Sequence, residues 1–188
     1  MTSTPVPSFA LVRWLDAIAE FTGNSTAWLT GIMVLIACIV VGLRHLFDIG
    51  SIALQESVTY MHAMVFMLGA AYTLKKDGHV RVDIVHKKLS PRGRAWVEVL
   101  GSLLFTLPLM ILIGWGSWGF VQESWRIHEG STDPGGIGGV YLLKSLLPLM
   151  ALSVSLQAIA ELLRSLLVLM NVAPAVPSEH KAAEGTSC

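Results

Sequence analysis

The chain has 188 residues, of which 53% are hydrophobic and 14% charged, well under the roughly 25% charge of an average soluble domain. Thirteen Lys and Arg balance thirteen Asp and Glu, so no net field would recruit nucleic acid, and basic residues matter only where they cluster. Cys38, inside an apolar run, and Cys188, in the tail, are too few for a ligand set; Cys38 reads as a small hydrophobe.

The first predicted element, 8–22, sets Phe9, Leu11, Val12, Leu15, Ile18, Ala19 and Phe21 at helical spacing beside Arg13, Asp16 and Glu20. That pattern predicts an amphipathic helix lying along a membrane interface. It lacks the basic start, long apolar core and cleavage site of a signal peptide. The stretch 27–43 holds no ionisable group and is close to the length that crosses about 30 Å of hydrocarbon. A second span is read over 57–74, with His62 its only plausible charge carrier. A third, 95–120, is long enough to imply tilt or an end among the headgroups. A fourth covers 140–170.

Backbone amides in lipid must bond within their own segment, so such runs become helices. Pro108 and Pro148 fall inside the third and fourth and are expected to kink them. The reading is an all-α membrane protein: four transmembrane helices and the interfacial helix in one domain over 1–170, then a disordered cytoplasmic tail over 171–188, rich in Ala, Pro, Ser and Glu.

Orientation comes from the loops. Lys75, Lys76, Arg81, Lys87, Lys88, Arg92 and Arg94 lie between spans two and three, whereas Arg126 stands against Glu123, Glu129 and Asp133 between three and four. The positive-inside rule then puts the first of these loops, and with it both termini, in the cytoplasm. Arg44 and His45, after span one, oppose this weakly. Trp28, Trp96, Trp115, Trp118, Trp125 and Tyr141 fall near span ends, where amphipathic rings favour the headgroup layer.

Motifs that resemble chemistry do not carry it. The stretch GWGSWG, 114–119, fits a dinucleotide fingerprint but has no strand-turn-helix around it, so its glycines are better read as close helix contacts. Ser117 lacks the glycine two residues earlier that a nucleophile elbow needs, because that position is Trp115. His62 could ligate haem, but the other spans offer no second histidine, and the plainer reading is a neutral side chain bonded to a neighbouring helix. Gln55 and Glu56 open span two, Glu98 lies near one end of span three, and Gln157, Glu161 and Arg164 approach the end of span four. Glu161 and Arg164, three apart, can pair on one helical face. None of these stands near mid-span, so a transport pathway through this chain alone is poorly supported.

The most charged stretch is KKDGHVRVDIVHKK, 75–88. Val80, Val82 and Ile84 alternate with His79, Arg81 and Asp83 as in an extended segment, yet Val82, Val85 and Leu89 could equally face inward from a helix. Its cations can hold topology and touch anionic headgroups.

DGHVRVDIV, placed after a helix pair, resembles the signature loop of the small membrane subunit of tripartite ATP-independent periplasmic (TRAP) transporters. A second block, ESWRIHEGSTDPGGI followed by YLLKSLLPLMALSVSLQAIAEL, is similar to the branch of that family labelled for 2-oxo acids, mannitol or chloroaromatic compounds. The resemblance implies a four-helix scaffold, with no catalytic residue and no cofactor, in the bacterial inner membrane. Its implied partners are a large permease subunit, a periplasmic substrate-binding protein and membrane lipids, and the implied task is sodium-coupled import of an organic anion. It further implies that Gly78, Arg81 and Asp83 form the cytoplasmic signature turn, that Glu123, Trp125, Pro134 and Gly135 shape the outer loop, and that Lys144 and Pro148 begin the last helix. Where the family tends to carry proline after GGI, this chain has Gly138. Two other readings remain open at this level, a haem-bearing membrane anchor using His62 and a self-sufficient transporter working as a homo-oligomer.

Overall fold

Residues 10–76 and 90–170 are described in a computed structural model of the chain, where they form four helical rods and, among these residues, no strand. The readings made for Gly78, Arg81 and Asp83, for the alternation at 80–84 and for the 171–188 tail fall outside the described residues.

The first rod corrects the expectation of a separate interfacial helix. Helix α1, Ala10–Phe47, runs unbroken through 38 residues and takes in both the amphipathic segment and the first span. Nothing between them stops a helix. Gly23 costs only about 1 kcal/mol in a helix interior, and the hydroxyls of Thr22, Ser25 and Thr26 donate back to the carbonyls of Ala19, Phe21 and Gly23 instead of capping a new start. The apolar stripe is also used differently: Val12 and Leu15 are buried against Ala160, Leu156 and Leu163 of the last helix. Trp14 and Phe21 stay outward.

Asp48, with φ 55°, reverses the chain, and the Ile49 N–H closes the last turn on the Leu43 carbonyl at 3.2 Å. Ser51 then caps α2, Ile52–Lys75, by accepting from the Leu54 N–H at 3.4 Å. Arg44 and His45, which sat awkwardly with the loop charges, occupy the last turn of α1, where cations complement the helix dipole. The α1–α2 seam is built from small residues. A Cβ on Gly23 would run into the Tyr72 ring, and Gly69 faces the Thr26 hydroxyl.

The third rod starts at Ser90, whose hydroxyl accepts from the Gly93 N–H at 3.2 Å, with Pro91 in the first turn of α3, Pro91–Gly101. A π-turn, Ser102–Thr106, joins it without interruption to α4, Leu107–Arg126. Pro108 is the reason. Its ring would strike the carbonyl four residues back, and the wider turn, in which the Leu107 N–H reaches back five residues to Ser102, makes room for it.

The last rod, α5, Val140–Leu169, touches every other element. Its contact face carries Gln157, Leu156 and Leu163 among small or short residues, Ala151, Val154, Ala158, Ala160 and Ser165, all five buried, which let the other rods approach closely. The large apolar side chains point the other way: Trp28 is 81% exposed, Phe105 74% and Trp115 85%. Such a surface suits lipid or a partner helix, not water. Val12–Phe47, Arg92–Arg126 and Val140–Leu169 are each long and apolar enough to cross a membrane. The second span expected from sequence is a helix too, but Thr59, Tyr60, His62, Tyr72 and Thr73 make α2 more polar and it does not join those three.

The seam generates a prediction. Gly23→Ala should lower the unfolding temperature in detergent, by about 1–3 kcal/mol of overpacking, while Gly31→Ala, whose Cβ meets nothing within 4 Å, should leave it unchanged or raise it slightly. Equal effects at both positions would contradict the α1–α2 packing.

Candidate functional site

Polar side chains gather in two belts at opposite ends of the rods. The first is centred on Arg164 of α5. Its guanidinium pairs with Asp16 of α1 and with Glu161 at 2.7 Å, so the pair expected from the three-residue spacing is present. Gln157, 1% exposed, donates its amide to Glu161 at 3.1 Å. Lys75, at the end of α2, reaches Glu20 at 2.8 Å and the Asp16 carbonyl at 3.0 Å. The Ser165 hydroxyl donates to Glu98 of α3 at 2.8 Å. One belt therefore ties all four rods together. Sequence reasoning had noted Glu98, Gln157 and Glu161 as span-end residues but missed Asp16 and Glu20 as partners, because it laid their helix along the membrane surface.

The second belt surrounds the turn from α4 to α5. Asp133, Pro134, Gly135 and Gly136 form a tight reversal closed by the Gly136 N–H on the Asp133 carbonyl at 3.0 Å. Pro134 fills the second position and Gly135, with φ 83°, the third, as a type II turn requires. Glu56 of α2 holds this loop from the side by accepting from the Ser131 hydroxyl and from the Ile137 N–H, the latter at 2.6 Å. Gly136 packs so closely against Glu56 and Ser131 that a Cβ would displace them. Sequence placed Glu56 at the head of its span but gave no signal that it clasps a loop about 80 residues on, a link only the fold supplies.

Lys144 of α5 pairs with Glu129, and its ammonium stands 3.8 Å from the centroid of the Phe120 ring. The hydrogen bond from Lys144 holds the Glu129 carboxyl below its ordinary value. Trp125 donates to Ser145 at 2.8 Å and meets the Tyr141 ring edge-on at 4.7 Å. Of the expected outer-loop residues, Trp125 joins α4 to α5 and Pro134 and Gly135 make the turn, while Lys144, expected at the start of the last helix, stands in its first turns and meets Phe120 of α4. Glu123 bonds Arg126 at 2.8 Å on the exposed side. Pro148 lies inside α5. An open cleft of about 290 Å³ lies here, lined by Glu56, Tyr60, Glu129, Ser131 and Leu143 among others. Its two glutamates are already engaged.

Between the belts the motif readings are revised. Gly114 of GWGSWG does pack on α5, with an added Cβ 3.5 Å from that of Ala151, but Gly116 and Gly119 face open space. The Ser117 hydroxyl donates to the Gly114 carbonyl at 3.2 Å. His62 is exposed on α2 instead of bonded to a neighbouring helix. Among the described residues, no three His, Cys, Asp or Glu are grouped to hold a metal ion.

Comparison with known proteins places the chain in a family. Residues 33–168 match the family model of the DctQ component of tripartite ATP-independent periplasmic transporters. Over 114 residues the chain is 28% identical to the C4-dicarboxylate TRAP transporter small permease protein DctQ of Vibrio cholerae. The alignment covers 57% of this chain and 47% of that protein, so the chain spans about half the length of the curated relative it matches. No solved structure matches.

The Arg164 belt yields a prediction. Arg164→Gln leaves Asp16 and Glu161 partly buried without their cation, and stability should fall by about 1–3 kcal/mol, between the exposed and buried limits for ion pairs. Adding Asp16→Asn should recover part of the loss in thermal unfolding; strictly additive losses would contradict direct pairing.

Proposed function

The chain belongs to the DctQ component family of tripartite ATP-independent periplasmic transporters, and on that premise we propose that it serves as a non-conducting scaffold for the larger permease subunit. The family is one of transport permeases, so the chain is a multi-pass membrane component of a transporter and not an enzyme.

The observation that carries the scaffold reading is the empty middle of the sequence. Residues 21–43, 57–74, 99–122 and 145–160 contain no Asp, Glu, Lys or Arg. At 1.5 Å per residue these stretches are about 24–36 Å long, close to the thickness of a bilayer core. A carrier of anions or sodium places polar ligands near the midplane. This chain keeps its acidic and basic residues outside those stretches, and several of them, Asp16, Glu20, Lys75 and Arg164 among them, join its own rods. The same spacing, present in α2 as in the others, supports four crossings in the bacterial inner membrane. In the proposed orientation the Arg164 belt and both termini face the cytoplasm, and the Glu56 belt faces the periplasm.

The cargo we infer is an organic anion, a carboxylate in the first instance, moved with sodium by the larger subunit after delivery by a periplasmic binding protein. The relative's C4-dicarboxylate fits that class. The likeness of the 123–137 block to the branch for 2-oxo acids, mannitol or chloroaromatic compounds supports a narrower choice within the family.

Copurification tests the scaffold. A tagged full chain solubilised gently from its native host should bring down a much larger membrane protein in fixed ratio, and vesicles holding this chain alone should take up no substrate. Isolation as a stable lone monomer, or uptake by the chain alone, would overturn it.

A further inference from the structure

Two prolines interrupt long helices, and each leaves a backbone carbonyl without its usual donor, but at different depths. Pro148 deprives Lys144, which lies in the Glu56 belt beside an open polar cleft where water can bond the carbonyl. Pro108 acts together with the π-turn. Leu107 gives its N–H to Ser102 instead of Leu103, and the next donor along, Pro108, has none. The Leu103 carbonyl therefore lacks both its four-residue and its five-residue backbone partner. It sits five residues, about 8 Å, beyond Glu98 into the charge-free stretch.

The last helix packs along one side of the π-turn, but its other side is uncovered among the described residues. Leu103, Leu104 and Phe105 are 51%, 60% and 74% exposed, and Pro108 is exposed as well. Lipid tails offer no donor, and an unmatched carbonyl in hydrocarbon is costly. Further along the same rod, Gly116 and Gly119 leave notches beside Trp115 and Trp118 that a second helix could enter. Helix α1 also shows lipid-facing bulk and open glycines, at Trp28, Leu35, Gly31 and Gly42. Its backbone ladder has no proline and no π-turn from Ala10 to Phe47, so it needs no donor from outside the helix.

We propose that the face of the third rod around Leu103 and Pro108 seats the larger permease subunit, one of whose helices supplies a hydrogen-bonding side chain, Ser, Thr, Asn or Trp in type, to the Leu103 carbonyl. The match is one of complementary partial charge: a carbonyl dipole without a donor is met by a donor that lipid cannot offer. The assignment rests on the scaffold reading and adds to it which surface is used.

A photo-crosslinking residue placed at Leu104 in the complete complex, in native membranes, should give an adduct with the larger permease, and the same residue at Leu35 of α1 at least about tenfold less. No adduct from Leu104, an adduct from Leu35 alone, or one of twice this chain's mass would overturn the assignment. Each of those results is compatible with successful copurification, so a wrong face is told apart from a wrong function. Pro108→Ala restores the missing N–H. The variant subunit alone should unfold at the same or a higher temperature, while recovery of the permease with it falls about three- to tenfold, the scale of one interhelical hydrogen bond in a membrane. Undiminished recovery would show that the carbonyl is satisfied within the rod and would equally overturn the assignment.

Discussion

A peptide group in hydrocarbon has no water to bond, and this single constraint accounts for most of what the chain does. It makes each apolar stretch a helix and pushes every full charge to a rod end. It also turns the backbone defect at Pro108 into a feature that demands a partner. Within that frame the stabilising polar contacts are few and well placed. Arg164 gathers α1 and α5, Lys75 adds α2, and Ser165 with Glu98 adds α3. At the other end Glu56 clasps the turn that Pro134 and Gly135 shape. The rods are thus pinned at both ends, while small residues along α5 let them lie close between.

The same economy fits the proposed scaffold role. Among the described residues Asp16, Glu56, Glu129, Lys144, Glu161 and Arg164 are engaged within the belts, and the outward surface carries Leu, Ile, Phe and Trp. What such a subunit can offer a partner is shape, a lipid-like face and a limited number of backbone acceptors. Family membership shows a DctQ component of a tripartite transporter, and the scaffold role proposed for it is one this fold can serve.

Much of the fold was legible because membrane spans announce themselves by length and composition. The Glu161–Arg164 pair follows from a local spacing rule that needs no tertiary knowledge, whereas Pro134 and Gly135 entered through the family resemblance. The misreadings share a physical cause. Amphipathic periodicity says that Val12 and Leu15 seek an apolar surface, but not whether that surface is lipid or α5. Gly116 and Gly119 look like packing residues whether the neighbour belongs to this chain or to another. Glu56 and Asp16 find partners about 80 and 148 positions away, and no local pattern encodes such distances. The π-turn arises from Pro108 acting on a helix whose other residues have no reason to bend.

The central claim is that the two belts lie on opposite faces of one bilayer. Single cysteines at Asp133, on the exposed loop of the Glu56 belt, and at Arg92, on the exposed start of α3, test it directly once Cys38 and Cys188 are replaced by serine. In intact cells with a permeable outer membrane, an impermeant maleimide should label position 133 at once and position 92 only after the inner membrane is opened. Labelling of both positions from the same side would contradict the account.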